Sequence, residues 1–335
     1  MKKVYLISND KVWFSSKRFT SNNDLNNIIT CLNKNYNLNL VCRKSNKKLN
    51  FPLDKKFNHY SFDEINEKKI NIFLISITPY NFFVFLYLLF IKKLDLSGVV
   101  YLRSDGFFEY KIKYGFLGYY IYSLMFFFIK KKLKILSCSK HFTNVDSKNV
   151  IHPSELNSIW FKKSRVSKKF KSDLIYIGRF KKEKGSIYLV NIFKKYFYKY
   201  NLVIVGTQKK FISKKYYNRN IKFIGPVTSI KKMISLYDSS KIFILPSYTE
   251  GFPKVISESL ARLRPIIIFE EIKHVISDRN GIFICKRNEK NINKTINYIL
   301  KNYKDIQKKI TKNNFYTKDN FKKELLGSIK NEFRN

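Results

Sequence analysis

The segment that decides the fold is LPSYTEGFPKVISESLARLRP, residues 245–265. The apolar run 241–245 predicts a buried strand, and Pro253 predicts the first position of the next helix, where its fixed φ and missing N–H are tolerated. Glu250 then falls in the loop, and Glu258 falls on the helix eight positions later. Between the two carboxylates lies a helix N-terminus with unpaired N–H groups, which is a natural site for phosphate.

A second pattern upstream points to the same chemistry. Residues 174–177 predict a strand that ends in Gly178-Arg179, and Lys184-Gly185 follow just before an apolar helical pattern. An arginine can fork onto two phosphate oxygens, whereas a lysine supplies a point charge. Taken alone, Arg179 and Lys184 are best explained as solvated cations. Their position between two turns suited to phosphate, in one domain, favours a functional role.

The two patterns together resemble the donor-sugar signature of retaining GT-B glycosyltransferases of the large family 4 type. That signature is Glu, seven residues and Glu, written here EGFPKVISE, with Gly-Arg and Lys-Gly upstream. The resemblance is close over residues 173–284 and holds only in outline for the amino half. It implies the α/β GT-B fold, in which two Rossmann-like domains face each other across a cleft.

The resemblance also implies roles for individual residues. Glu258 is expected to bind the ribose hydroxyls of the nucleotide. The residues expected to act in catalysis, by binding the donor sugar or the diphosphate, are Glu250, Arg179 and Lys184. The remaining donor-binding residues are expected to be Gly178, Gly251, Phe252, Pro253 and Lys254. On the acceptor side the candidate is Asp105, for which a loop or helix-cap role is an equal alternative.

The reaction implied is transfer of a sugar, with retention, from a UDP- or GDP-sugar to a saccharide or lipid-linked acceptor, in polysaccharide or lipopolysaccharide assembly. In this family no carboxylate nucleophile is generally accepted, and the leaving phosphate is thought to help deprotonate the acceptor. No metal or other cofactor is expected, because the sequence has no Asp-x-Asp and its four histidines lack metal-ligand spacing.

Composition sets limits on the partners. The formal net charge is +42 and the pI is about 10.0, a balance typical of proteins that bind nucleic acid or anionic membranes. The abundance of Lys, Asn, Ile, Phe and Tyr also fits an A/T-rich coding background, and the excess charge is spread along the chain. We therefore expect binding to anionic lipid but not to specific nucleic acid. Four cysteines without a CxxC pair predict buried free thiols in a reducing cytosol.

Two apolar runs, 82–91 and 115–129, are each followed by lysines. Both are shorter than the ~20 residues that a membrane-spanning helix needs. Aromatic residues bordered by lysine are typical of a membrane interface, so residues 115–134 predict peripheral attachment to the inner face of the cell membrane. The alternative is that both runs are core helices of an α/β domain, with Phe126, Phe127 and Phe128 filling that core.

Alternating strands and helices predict parallel sheets covered on both faces. We predict an N-terminal domain over 1–165, a linker over 166–172, a nucleotide-sugar domain over 173–315 and a C-terminal helix within 316–335, with packing on the N-terminal domain as one option. In the first domain, residues 9–16 predict a loop and residues 150–151 a strand. That loop lacks the glycines common in the family, and Leu263 stands where the family often has a glycine.

Three other functions stay open at this stage. One is a different GT-B enzyme, such as a sugar-nucleotide epimerase or a phosphorylase. Another is a basic nucleic-acid-binding protein, although no RNP-like, zinc or helix-turn-helix pattern is present. The third is a catalytically inactive membrane scaffold.

Overall fold

The computed structural model describes residues 1–15, 19–49, 51–53, 57–142, 145–162, 170–276 and 278–334. The chain forms two compact units, one from Met1–Pro153 with Asp319–Asn335 and the other from Ser154–Lys318. Each unit is built on a sheet of mainly parallel strands.

The first unit contains an eight-stranded sheet. Its strands are β1 (Lys2–Phe14), β2 (Phe19–Ser21), β3 (Tyr36–Lys44), β4 (Phe51–Pro52), β5 (Asn58–His59), β6 (Lys69–Ile75), β7 (Asp95–Leu102) and β8 (Lys134–Ser137). The parallel part runs in the order β5-β3-β1-β6-β7-β8, and β2 and β4 add an antiparallel extension beside β1. The central strands are apolar and buried on both faces, as expected for a parallel sheet with helices on each side.

Strand β1 corrects the predicted loop over 9–16. The strand continues to Phe14 with a register shift between Ser8 and Lys11, and then pairs antiparallel with β2. The polar residues after Ser8 resemble a turn locally, but they pair with the end of β3. The predicted strand 150–151 is also wrong, because Val150 makes only an isolated bridge to Ser137.

The described residues before Pro153 form three α-helices: α1 (Asn23–Leu32), α2 (Pro79–Leu86), which continues as a π-helical turn over Tyr87–Ile91, and α3 (Gly106–Lys130). Helix α1 is capped by Asn22, whose side chain accepts from Leu25 N at 2.8 Å.

Helix α3 contains the longer apolar run and nine residues before it. Among the described residues it is the one helix long and apolar enough to cross a membrane, by length and composition. Gly115 interrupts it with φ +67° and ψ −153°. The segment after this break is about 22 Å long at 1.5 Å per residue, which is shorter than the ~30 Å hydrocarbon core of a bilayer.

The second unit contains six parallel strands: β9 (Ser172–Ile177), β10 (Leu202–Val205), β11 (Ile221–Ile224), β12 (Ser240–Leu245), β13 (Ile266–Phe269) and β14 (Ile282–Cys285). Their order is β11-β10-β9-β12-β13-β14, which is the doubly wound order of a Rossmann-like domain. The strand order therefore reverses between β9 and β12.

In the described residues of the second unit, six α-helices accompany these strands: α4 (Ser158–Phe161), α5 (Ser186–Tyr196), α6 (Ile230–Asp238), α7 (Lys254–Ala261), α8 (Glu289–Lys301) and α9 (Tyr303–Ile310). Pro253 is the N-cap of α7 with φ −73° and ψ 105°, so the prediction that it is the first helical residue is wrong by one position. Leu263 has φ +57°, the left-handed region that favours glycine. This explains why a glycine is common at this place in the family that the sequence resembles.

The last helix, α10 (Lys318–Ile329), returns to the first unit, where Phe321, Leu325 and Ile329 are buried. The division between the units lies at Pro153/Ser154 rather than at the predicted 165/166, because Leu156 and Trp160 are buried in the second core. Of the predicted linker, residues 166–169 lie outside the described residues. All four cysteines are buried free thiols, as predicted.

Candidate functional site

The two sequence motifs meet at one place in the second unit. Strands β9 and β12 are paired neighbours. β9 ends at Ile177 and leads into Gly178-Arg179, while β12 ends at Leu245 and leads into the loop that contains Glu250. In doubly wound sheets, ligands bind outside the carboxyl ends of the strands where the strand order reverses. Both motifs lie at that point.

The two loops are held together backbone to backbone. Gly185 has φ +63°, and a Cβ at this position would lie 1.7 Å from the carbonyl oxygen of Pro246. The backbone N–H of Tyr248 donates to the carbonyl of Glu183 at 3.1 Å. Only glycine allows so close an approach, which accounts for the Lys-Gly pair in the first motif.

This packing joins Lys184 to Glu250. The lysine Nζ lies 2.8 Å from the Glu250 Oε1, and the Ser247 hydroxyl donates to the same oxygen at 2.6 Å. The two charged side chains are 24% and 12% exposed, so the pair is shielded from solvent but open on one side. The ring Nε2 of His274 lies 2.9 Å from the Glu250 carbonyl oxygen.

The Glu258 carboxylate is oriented by the buried phenol of Tyr237. The Tyr237 hydroxyl donates to Glu258 Oε2 at 2.9 Å. Burial, with the neighbouring Glu258 charge, raises the pKa of Tyr237 well above its usual value. The phenol is therefore a permanent donor, and it orients one oxygen of this carboxylate in the middle of α7.

Gly178 and Arg179 form the turn after β9. The Tyr176 hydroxyl donates to the Arg179 carbonyl at 2.9 Å, and a Cβ on Gly178 would lie 2.5 Å from that hydroxyl oxygen. Burial raises the pKa of Tyr176, so this hydroxyl too stays protonated. The Arg179 side chain itself is exposed, just beyond the carboxyl end of β9.

The turn before α7 contains the other predicted donor-binding residues. Gly251 and Pro253 are buried, and Phe252 lies under the Arg279 guanidinium, 5.8 Å from its ring centroid. Lys254 makes an ion pair with Glu155. Lys254 is thus paired with a carboxylate, as Lys184 is with Glu250.

Arg287 is a residue of this site that the sequence reasoning missed. It lies just after β14, with its side chain 13% exposed, and donates to the carbonyls of Pro246 at 2.9 Å and Ser247 at 3.3 Å. Burial alone would raise the pKa of Glu271, but the hydrogen bond and charge of Arg287, together with a backbone hydrogen bond, outweigh it, and the pKa is lowered. Arg287 therefore braces the Glu250 loop. The sequence feature that could have identified Arg287 is its position just after the carboxyl end of a parallel strand.

Asp105 lies in the first unit as the N-cap of α3, where its side chain accepts from Phe108 N at 3.1 Å.

A cluster of polar side chains at the carboxyl ends of strands in the first unit was not predicted. Arg103 contacts Asp10 at 3.3 Å and Ser76 at 3.4 Å, and Ser76 has the strained φ of +62°. Across the ranges that the structure describes, no three His, Cys, Asp or Glu side chains are grouped to hold a metal ion.

The part of the chain that matches a known family lies in the second unit. Residues 159–315 match the family model described as Glycosyl transferases group 1. An uncharacterized glycosyltransferase of Haemophilus influenzae is 25% identical over 185 residues, which cover 47% of this chain and 50% of that protein. The chain spans about half the length of the curated relatives it matches.

Two solved structures cover nearly the whole chain. The Anabaena protein Alr3699/HepE, in complex with UDP and glucose, has a TM-score of 0.67 at 12% identity, over 97% of this chain and 98% of that one. Sucrose-phosphate synthase from Thermosynechococcus elongatus has a TM-score of 0.65 at 12% identity, over 98% and 95%. These likenesses show the fold, which is GT-B with two Rossmann-like domains, and the predicted fold class is confirmed. With the family match they support a GT-B glycosyltransferase.

Proposed function

We propose that this protein is a retaining, metal-independent glycosyltransferase of the family 4 type, which moves a sugar, a hexose or a related one, from a nucleoside diphosphate to a saccharide acceptor. One observation carries the proposal. Lys184 and Glu250 lie 66 positions apart, yet they meet at 2.8 Å where the strand order reverses. A cation for the leaving diphosphate and a carboxylate for the donor sugar are thereby brought to one point.

Breaking the bond between the sugar and the diphosphate leaves negative charge on the phosphate. Cations already fixed in place stabilise that charge without reorganising. Lys184 has three N–H donors, and Glu250 takes one of them, so the ammonium can contact a phosphate while it stays oriented. Arg179, exposed on the adjoining turn, supplies the second cation.

The two glutamates have different tasks in this proposal. Glu258, oriented by Tyr237, accepts hydrogen bonds from the ribose hydroxyls. Glu250 binds hydroxyls of the donor sugar, and its engagement by Lys184 and Ser247 makes its Oε1 a poor nucleophile. The new bond to the acceptor oxygen forms on the face that the diphosphate leaves, and the acceptor proton passes to the leaving phosphate.

Calorimetry with UDP and GDP tests both the function and the division of roles. Uridine diphosphate is the first choice, because the Anabaena neighbour was solved with UDP. We expect saturable binding that survives moderate salt. Glu258→Gln should weaken it about 10- to 100-fold, since a hydrogen bond to a charged group contributes about 1.5–3 kcal/mol. Glu250→Gln should leave diphosphate affinity within about threefold but impair sugar transfer.

Glu289→Gln, on the exposed start of α8, is the control for loss of a carboxylate. Equal loss of UDP affinity in the Glu250 and Glu258 variants would contradict the assignment of different roles to the two glutamates. Absence of saturable binding of either nucleotide, together with no hydrolysis of any nucleotide sugar, would contradict the function itself.

We further propose that helix α3 attaches the protein to the inner face of the cell membrane, where a lipid-linked saccharide or lipopolysaccharide acceptor would present its reactive end. Phe116, Tyr120 and Leu124 follow one another along one face of the helix and are 70%, 63% and 57% exposed. The opposite face contributes Tyr122 and Met125 to the core. An exposed apolar face of this kind suits the headgroup boundary of a bilayer.

Liposome co-sedimentation of the triple variant Phe116→Gln, Tyr120→Gln and Leu124→Gln tests this attachment. Wild-type protein should bind anionic vesicles, and part of that binding should survive high salt because it is hydrophobic. Each buried apolar side chain contributes about 1.5–3 kcal/mol, and partial insertion of three should make the variant about 100-fold weaker at high salt. If folded wild-type protein stays in the supernatant with anionic vesicles at low salt, the attachment is wrong.

A further inference from the structure

A second surface of the protein has the chemistry of a membrane contact, and it lies on the other unit. Between residues 194 and 222 the chain contains nine Lys or Arg and no Asp or Glu. All nine cations are exposed: Lys194, Lys195, Lys199, Lys209, Lys210, Lys214, Lys215, Arg219 and Lys222. We call this the 194–222 surface. It has no part in the candidate site described above.

The segments of the 194–222 surface form one continuous patch. The Lys194 ammonium, at the end of α5, donates to the Lys215 carbonyl. The Asn220 side chain donates to the Tyr198 carbonyl, and the Tyr217 hydroxyl donates to the Lys209 carbonyl at 2.9 Å. These contacts bring the helix end, the loop before β10 and the two turns before β11 together.

Protection of the sheet edge does not account for this charge. β11 is the edge strand, and lysines on an edge prevent pairing with another chain. Of the nine cations, however, only Lys222 lies on β11 itself. The others lie on the helix end and on the turns, where there is no open edge to protect.

Exposed aromatic rings accompany the cations. Tyr198 is 71% exposed and Phe211 is 73% exposed, so neither ring contributes much buried area to the core. Large aromatic side chains beside lysine are typical of the membrane interface, where the ring enters the headgroup region and the ammonium contacts lipid phosphate.

The same residues fit nucleic acid less well. Single strands are bound by stacking bases on open ring faces. Here ammonium groups already lie over the rings: Lys209 is 4.5 Å from the Tyr217 centroid, and Lys210 is 5.2 Å from that of Phe211. Eight of the nine cations are lysines, which act as point charges rather than as the planar forks that read bases.

We infer that the 194–222 surface docks on anionic lipid headgroups and is a second membrane attachment, independent of α3. Because its charges dominate, its contribution should be strongest at low salt and should decline as salt screens it. Membrane binding through the α3 face, which is apolar, should depend much less on the salt concentration. The inference rests on the charges and rings of the second unit and does not require the proposed transfer reaction.

The test uses the full chain and vesicles of phosphatidylglycerol mixed with phosphatidylcholine. The test variant reverses four exposed lysines of the surface: Lys195→Glu, Lys199→Glu, Lys210→Glu and Lys214→Glu. The matched control makes the same change of net charge on exposed lysines of α8 and α9: Lys290→Glu, Lys294→Glu, Lys301→Glu and Lys308→Glu. Both variants should retain the UDP titration of the wild type, which separates this inference from the proposed function.

At low salt the test variant should bind anionic vesicles on the order of 100-fold more weakly than wild type, with a smaller salt dependence, and the control should change less than about threefold. Equal weakening of both variants would show that only net charge matters and would overturn the inference. So would unchanged vesicle binding of the test variant. Loss of binding to a labelled single-stranded oligonucleotide, with vesicle binding intact, would assign the surface to nucleic acid instead.

Discussion

Replacing Lys184 by alanine should lower turnover about 100-fold, the usual cost of one lost group that stabilises developing charge. The ammonium lies 2.8 Å from Glu250, so the substitution removes the cation for the diphosphate and the partner of the donor-sugar carboxylate together. The fold should survive, because the pair lies in partly exposed loops and Ser247 still donates to Glu250. The measurement is kcat with a nucleotide sugar and a demonstrated acceptor, alongside thermal unfolding.

Lys182→Ala is the matched control, since Lys182 is exposed in the same loop and has no assigned role. It should keep wild-type turnover. Arg179→Ala should resemble Lys184→Ala, because both cations are assigned to one leaving group. Wild-type turnover by both the Arg179 and the Lys184 variants would contradict the assignment of the diphosphate site to this loop.

The second large effect is on stability. Replacing Asp238 by alanine should lower the free energy of unfolding of the second unit by about 3–5 kcal/mol, because it leaves buried charge without its partner. Asp238 accepts from Arg262 at 2.8 and 2.7 Å and lies 3.7 Å from Arg264. Those arginine side chains are only 2% and 0% exposed.

The protein has two tryptophans, and Trp160 is buried in the second core. In a Trp13→Phe background, its fluorescence during urea unfolding therefore reports on the unit that contains Asp238. Asp305→Ala, an exposed carboxylate on α9, is the control and should change stability by less than about 0.5 kcal/mol. A loss below about 1 kcal/mol for Asp238→Ala would mean that the two arginines find other partners.

Local sequence predicted the second sheet closely. The predicted strands 174–177 and 241–245 lie within β9 and β12 and end where those strands end, because each run of branched residues is bordered by glycine, proline or polar residues. The first unit was harder. Residues 9–14 look like a turn in isolation, and only their pairing with β2 and β3 makes them a strand.

Buried charge was also beyond local prediction. Arg262 and Arg264 follow α7 in a sequence full of cations, and nothing nearby marks them as fully buried. They can be buried because Asp238, at the end of α6, pairs with both of them. Arg287 is similar, since its task of bracing the Glu250 loop depends on β14 lying in the same sheet as β12.

The sequence by itself determined the α/β class, the strands of the second unit and the residue types at their carboxyl ends, because apolar periodicity, glycine and proline act over a few neighbouring residues. Only the tertiary structure decided that β9 lies beside β12, and hence that Lys184 meets Glu250 and that Tyr237 orients Glu258. Those contacts depend on strand order. Strand order follows from how all the helices and strands bury their apolar faces together, which no single segment encodes.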